Sequence, residues 1–329
     1  MKAGAFKGRT LLAIVACLLA GCGEGQKERA PSASDDRLVV MGLKTLGRAT
    51  SLDPGTGEVI AERRLRFGCG DALVQFIRSD GRLVFCSDGS TVRSIDPELR
   101  ERPEAVGHGF YFVPEQDGVV WLIDGSRIAR TTVDGELLEE GRVPCVQPLV
   151  TEDGPLCRGA RNLELIDIET GETVRRIQAG LHAAANGTTV SACREPCTKL
   201  VVSDVSTGET TAVRPPDPLE FRASYGAEFS PDGSKLATPV FTEPPAEKRF
   251  PYKNRPSGIA VVDLASRDTH LVPNSEPGGY GRIAWTATGD RLYFTGEENG
   301  SIYVYDLADG ETQRVPFDFK DKIFQLAAF

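Results

Sequence analysis

Six cysteines and two histidines offer the most reactive chemistry in this chain. Cys69, Cys86, Cys145, Cys157, Cys193 and Cys197 remain as an even set once Cys17 and Cys22, which lie in the N-terminal segment, are set aside. An even set reads as disulfides of an oxidising compartment, although six thiols allow fifteen pairings. Zinc needs several closely spaced thiolates or imidazoles, and Cys193-Arg-Glu-Pro-Cys197 supplies one pair without a second. No metal and no cofactor is therefore expected. His108 and His182 are the candidates for proton transfer, because imidazole titrates near neutral pH. Arg249, Phe250, Tyr252, Lys253 and Arg255 form an aromatic and basic patch within residues 242–257, and such residue types anchor protein interfaces. The Gly-x-Ser-x-Gly elbow, the His-Glu-x-x-His pair, the phosphate loop and the dinucleotide fingerprint are all missing from the sequence.

A repeat positions these residues. An apolar, β-branched stretch runs into an aspartate and a turn, then into a second short strand, with markers at Asp53, Asp96, Asp134, Asp167, Asp204, Asp263 and Asp306. The mean period is about 42 residues, within the range of propeller blades. Upstream of most markers an Asp-Gly or Asn-Gly turn sits between apolar runs, as in FIRSDGRLVF and FSPDGSKLA, because a tight hairpin demands positive φ. Each unit thus predicts four antiparallel strands, and the chain holds seven units. The marker carboxylates are expected to cap turns by accepting backbone N–H bonds. A four-stranded unit cannot cover both of its apolar faces alone, so neighbours must stack around an axis. The C-terminal stretch KIFQLAAF matches a first strand, and RLVVMGL near the N-terminus matches a second strand without its first. Residues 323–329 are therefore expected to complete the first blade.

With FSPDGSKLA at residues 229–237 and the looser TATGDRLYF, the chain resembles the WD40-like propeller repeats of exported bacterial proteins, of TolB and YVTN type. The resemblance spans residues 37–329 and implies an all-β, seven-bladed β-propeller, a fold that hosts binding proteins, scaffolds and enzymes alike. Placing the cysteines on such blades brings each near one rim of its own blade, which predicts Cys69–Cys86, Cys145–Cys157 and Cys193–Cys197. The same placement puts Asp71, His108, His182, Tyr225, Tyr280 and Asp321 at the starts of inner strands, around the mouth of the central channel. The spacing of 59 residues between Asp204 and Asp263 is assigned to an inserted loop, which carries the aromatic and basic patch. Long loops in compact domains are often functional. The favoured reading is a binding or scaffolding module that presents this loop-rich face to a protein, peptide or cell-envelope component. The alternative is an enzyme resembling single-domain propeller lyases, with His108 and His182 near the axis.

The N-terminus reads as a targeting segment. Lys2, Lys7 and Arg9 precede an apolar run from Leu11 to Ala20, which is too short to span a bilayer. The run ends in Leu19-Ala20-Gly21-Cys22, which resembles the lipobox of bacterial lipoproteins, whose cysteine is acylated and becomes the first mature residue. This divides the chain into a signal peptide at 1–21, a lipidated Cys22 with a tether to residue 36, and a domain at 37–329. It implies a membrane-anchored protein on the extracytoplasmic side. Without residues 1–21 the chain carries 35 basic and 47 acidic side chains, a net charge of −12. That balance repels phosphate backbones, so nucleic acid is excluded as a partner.

Overall fold

A computed structural model describes residues 36–42, 48–65, 77–79, 81–87, 90–109, 111–115, 118–145, 148–159, 162–178, 182–186, 189–193, 199–221, 227–242, 257–275, 282–296, 300–320 and 323–329. Among these residues there are strands and turns and no helix. Each repeat folds into an antiparallel sheet. In the first sheet Ile323–Ala328 pairs with Leu38–Gly42, followed by Arg48–Leu52 and Val59–Arg64. The second runs through Ile77–Ser79, Arg82–Ser87, Thr91–Ile95 and Gly107–His108. The third comprises Tyr111–Pro114, Val119–Asp124, Arg127–Thr132 and Leu137–Arg142. Leu149–Thr151, Gly154–Arg158, Asn162–Ile166 and Thr173–Gln178 form the fourth. His182–Asn186, Thr189–Cys193, Leu200–Asp204 and Thr210–Val213 form the fifth. Ile283–Trp285, Arg291–Thr295, Ser301–Asp306 and Thr312–Asp318 make the last.

These six are four-stranded blades of a β-propeller, where the repeat predicts seven. The sheet between the fifth and the last has five strands. Leu219–Phe221 and Glu228–Phe229 both pair with Lys235–Thr242, which continues to Gly258–Asp263 and Thr269–Leu271. Six residues separate Phe221 from Glu228, whereas their partners Val240 and Ala237 are separated by two. The excess cannot stay in register, so the innermost strand breaks into two pieces. This break is one source of the long marker spacing, which the sequence assigns to the inserted loop alone; residues 243–256 lie outside the described residues.

Burial explains why the strands differ in composition. Leu38–Gly42 is buried along its whole length, as are Leu236 to Phe241 and Leu292 to Thr295. A strand buried on both faces reads as a continuous apolar run. The fourth strands face solvent instead and carry charge, as in VIAERR and LLEEGR. Between consecutive sheets the inner strands interlock. Leu83, Phe85 and Ile95 pack on Val39, Met41 and Ala49. Val84 and Val92 pack on Phe112 and Val120, and Trp121 and Ile123 pack on Val150 and Ile166. On the other side of the first sheet, Leu38, Val40 and Leu326 meet Tyr293 and Ile302 of the last.

The seam is the pairing that the sequence predicts: Leu38, Val39, Val40 and Met41 lie opposite Ala328, Ala327, Leu326 and Gln325. Arg37 and Phe329 extend it with reciprocal backbone bonds of 3.2 and 2.9 Å. The Leu326→Ala variant removes apolar volume from this seam, and a loss of about 2–5 kcal/mol is expected in urea unfolding. A loss well under 1 kcal/mol would mean that the seam frays without consequence for the domain.

Candidate binding face

Antiparallel topology gives the propeller two chemically distinct faces. Turns joining first to second strands and third to fourth strands lie on one, the turn face. Loops joining second to third strands and each blade to the next lie on the other, the loop face.

The marker aspartates build the turn face. The Asp53 carboxylate accepts from the N–H groups of Gly55 (2.7 Å) and Thr56 (3.1 Å). Asp167 accepts from Glu169 and Thr170, and Asp263 from Ala265 and Ser266. Asp204 accepts from the Ser206 hydroxyl and the Thr207 N–H, both at 2.7 Å. These are the capping roles expected of them. Asp134 departs from the pattern: Thr132 Oγ1 takes the Glu136 N–H at 3.1 Å, and Asp134 pairs with Arg102 instead. Hydrogen bonds to the ionised form hold several of these carboxyls below the usual range: from the Thr170 N–H for Asp167, the Ser206 hydroxyl for Asp204 and the Ser266 N–H for Asp263. In the first-to-second turn of the five-stranded sheet, the Ser230 hydroxyl donates to Asp232 at 2.6 Å and draws its carboxyl down to about 2.

The chain also enters the domain on the turn face. Asp36, just before the seam, accepts from Arg291 Nη1 and from Tyr293 Oη, each at 3.0 Å, while Arg291 Nε reaches Asp306 at 3.2 Å. Burial and the facing Asp36 carboxylate push the Tyr293 phenol up, so it stays a donor. Sequence patterning gives no hint of this clamp, because Asp36 and Tyr293 are 257 positions apart.

Of the residues predicted to ring the channel mouth, His108 is misplaced. It is exposed on the fourth, outermost strand of the second sheet, opposite Thr91, and not at the start of an inner strand. The reason is local: after the Asp96 turn that strand makes only a bridge from Glu101 to Ile95 before pairing again at Gly107, so it ends later than the repeat implies. His182 does begin the first strand of the fifth sheet. The two imidazoles thus belong to opposite ends of the strand order within their sheets. Asp71, Tyr225, Tyr280, Asp321 and the loop residues Arg249, Phe250, Tyr252, Lys253 and Arg255 lie outside the described residues, as does Cys22.

Cys145 and Cys157 form the predicted disulfide, with Cα atoms 5.6 Å apart. It joins the segment before the first strand of the fourth sheet to the end of its second strand, on the loop face. For the other two predicted pairs, Cys69 and Cys197 lie outside the described residues, and only the backbone of Cys86 and Cys193 is described.

The described loop face carries a feature that composition hides. At the rim, Arg48 stands directly opposite Arg64, and Arg127 opposite Arg142. Lys199 and Arg214 lie one step beyond the Leu200–Val213 pair, in the same register. All six are exposed. The turn face is the reverse, with exposed Glu58, Glu136, Glu172, Glu209 and Glu311 beside the marker carboxylates.

No protein-family model matches the chain, and no curated protein matches it. Solved structures do. Apo AztD from Citrobacter koseri aligns over 89% of this chain and 98% of its own, at 13% identity and a TM-score of 0.55. The Pan2 WD40 domain of Neurospora crassa aligns over 76% and 79%, at 15% identity and 0.51. Hsv2 of Kluyvelomyces marxianus aligns over 71% and 76%, at 9% identity and 0.50. At such identities the likeness establishes the β-propeller fold and nothing of ligand or activity.

The carboxyls of Asp167, Asp204, Asp232 and Asp263 predict an acid dependence of definite sign. Their folded pKa values lie below the unfolded value of about 3.9, so their stabilisation is complete above that pH and is lost as pH falls through the folded values. The urea midpoint should stay level from about pH 7 to 5 and drop from about pH 4 towards 2. In the Asp232→Asn variant that drop should be smaller. An equal drop in both proteins would show that Asp232 contributes nothing to the linkage.

Proposed function

We propose that this chain is a lipoprotein anchored through Cys22 on the extracytoplasmic side of a membrane, and that its propeller is a binding module working through the loop face. In this reading the five-stranded sheet is a seventh blade and residues 1–21 are a removed signal. The observation that carries it is where the chain enters the domain. Asp36 is clamped beside the seam on the turn face, so a tether rising from Cys22 joins there and leaves the loop face unobstructed. The 14 residues from 23 to 36 contain no large apolar side chain that could repay the entropy of ordering. As a flexible chain they would span about 20 Å on average and about 50 Å fully extended. The disulfide at Cys145 and Cys157 suits an oxidising compartment outside the cytoplasm.

The partner in this reading is a protein, peptide or envelope component met on the side away from the anchoring bilayer. The loop after Thr242, with Arg249, Phe250, Tyr252, Lys253 and Arg255, belongs to the same face by topology, since it joins a second strand to a third. Catalysis has less support, because His108 lies on an outermost strand and not at an inner one.

Growth with an alkyne-bearing palmitate analogue should label the wild-type protein and place it in the membrane fraction. The Cys22→Ala variant should lose both label and membrane retention. Labelling that survives this substitution would refute the assigned anchor.

A further inference from the structure

The like-charged pairs on the loop-face rim call for an explanation. Cross-strand neighbours of the same sign are unfavourable, since directly opposite side chains lie about 5 Å apart on one face of the sheet. A single such pair could be tolerated as noise. Here the same rim position repeats the arrangement in the first, third and fifth sheets: Arg48 with Arg64, Arg127 with Arg142, and Lys199 with Arg214. None of the six makes an ion pair with a carboxylate among the described residues, although Asp124 is the hairpin neighbour of Arg127. Elsewhere exposed arginines do find acids, as Arg100 does with Asp96 and Glu98. Unpaired like-charged pairs thus recur at one rim, while the turns of the opposite face carry exposed glutamates beside isolated cations such as Arg267.

We infer that this rim is a docking surface for an acidic segment of a partner polypeptide, whose carboxylates lie between the paired cations. The inference deepens the binding reading above and rests on it for the choice of face. Guanidinium groups present a planar fork that matches a carboxylate with two parallel bonds. A carboxylate between two cations converts a repulsive pair into an attractive triad, so the stability withheld in the free protein is returned on binding. Between the first two pairs, the rim of the second sheet carries Thr91 opposite exposed His108. These hydrogen-bonding groups suit the amides of a polypeptide. Both groups can also donate to phosphate oxygens, so polyphosphate and anionic lipid are rival occupants that the test separates. In the reading above, the protein's own bilayer is disfavoured because the tether would join the other face.

The test uses the full-length protein in a neutral detergent, with fluorescein-labelled poly-L-glutamate as the probe and anisotropy as the readout. Binding should weaken as salt rises. The double variant Arg64→Glu with Arg142→Glu sets a carboxylate opposite Arg48 and Arg127. It should unfold at the same temperature as the wild type or higher, yet bind the probe at least about ten-fold more weakly. Glu58→Lys with Glu136→Lys, on the turn face, should leave affinity within about two-fold. Equal effects of the two double variants would overturn the assignment of the rim. Tighter binding of polyphosphate, or of vesicles containing phosphatidylglycerol, than of poly-L-glutamate would overturn the assignment of a polypeptide. Because no step requires anchorage, the result is independent of whether Cys22 carries lipid.

Discussion

Every blade in this protein is apolar on both of its inner faces, and that single constraint governs the rest. A sheet with Leu38 and Val40 on one side and Val39 and Met41 on the other must be covered twice. In a linear stack the terminal sheets would each leave one such face in water, at about 25 cal/mol for every Å² of apolar surface exposed. Pairing Ile323–Ala328 with Leu38–Gly42 removes the problem, because one sheet then contains the first and the last described strands. Closure is non-covalent and rests on one strand pairing together with the packing of Leu326, Ala327 and Ala328.

Closure alone would leave adjoining blades free to slide, and the outer strands oppose this. Arg63 donates to the Leu99 carbonyl of the next blade at 2.9 Å, and Arg175 reaches the carbonyls of Val205 and Ser206. Thr312 Oγ1 bonds the Pro273 carbonyl at 2.6 Å. In each case a side chain from a fourth strand bonds a backbone carbonyl of a neighbouring blade. Three junctions between neighbouring blades are thus tied through their outer strands.

What the sequence made legible follows from how local each signal is. Hairpin turns and marker aspartates are read within five residues, so the blades, their strand order and the capping role of Asp53, Asp167, Asp204 and Asp263 were accessible. Even there the chemistry can differ from the letters: Arg267 occupies the place held by glycine in the sister turns and adopts their left-handed φ, 67° against 72° at Gly171. The seam was legible because each end of the chain lacked what the other supplied. His108 was misread because the fourth strand of its sheet is interrupted, and a period cannot reveal an interruption. The break after Phe221 was hidden because apolar residues flank it on both sides. The Asp36 clamp and the paired cations were out of reach for a deeper reason. Arg48 and Arg64 are 16 positions apart in sequence, and nothing but the register of two strands makes them neighbours.

Those cations also show why net charge is a poor guide to what a propeller binds. A net charge of −9 for the chain, or −12 without residues 1–21, argues against polyanions as a whole-molecule average. At about 8 Å the screening length in physiological salt is shorter than a strand of six residues, which rises about 20 Å. A partner therefore responds to the charges it meets locally and only weakly to the whole-molecule balance. Five exposed glutamates, Glu58, Glu136, Glu172, Glu209 and Glu311, close turns after marker residues, where they meet solvent. Among the described residues the opposite rim carries three cation pairs within an acidic protein. Antiparallel topology makes such a separation simple to build, since third-to-fourth-strand turns share one face and every passage between blades crosses the other.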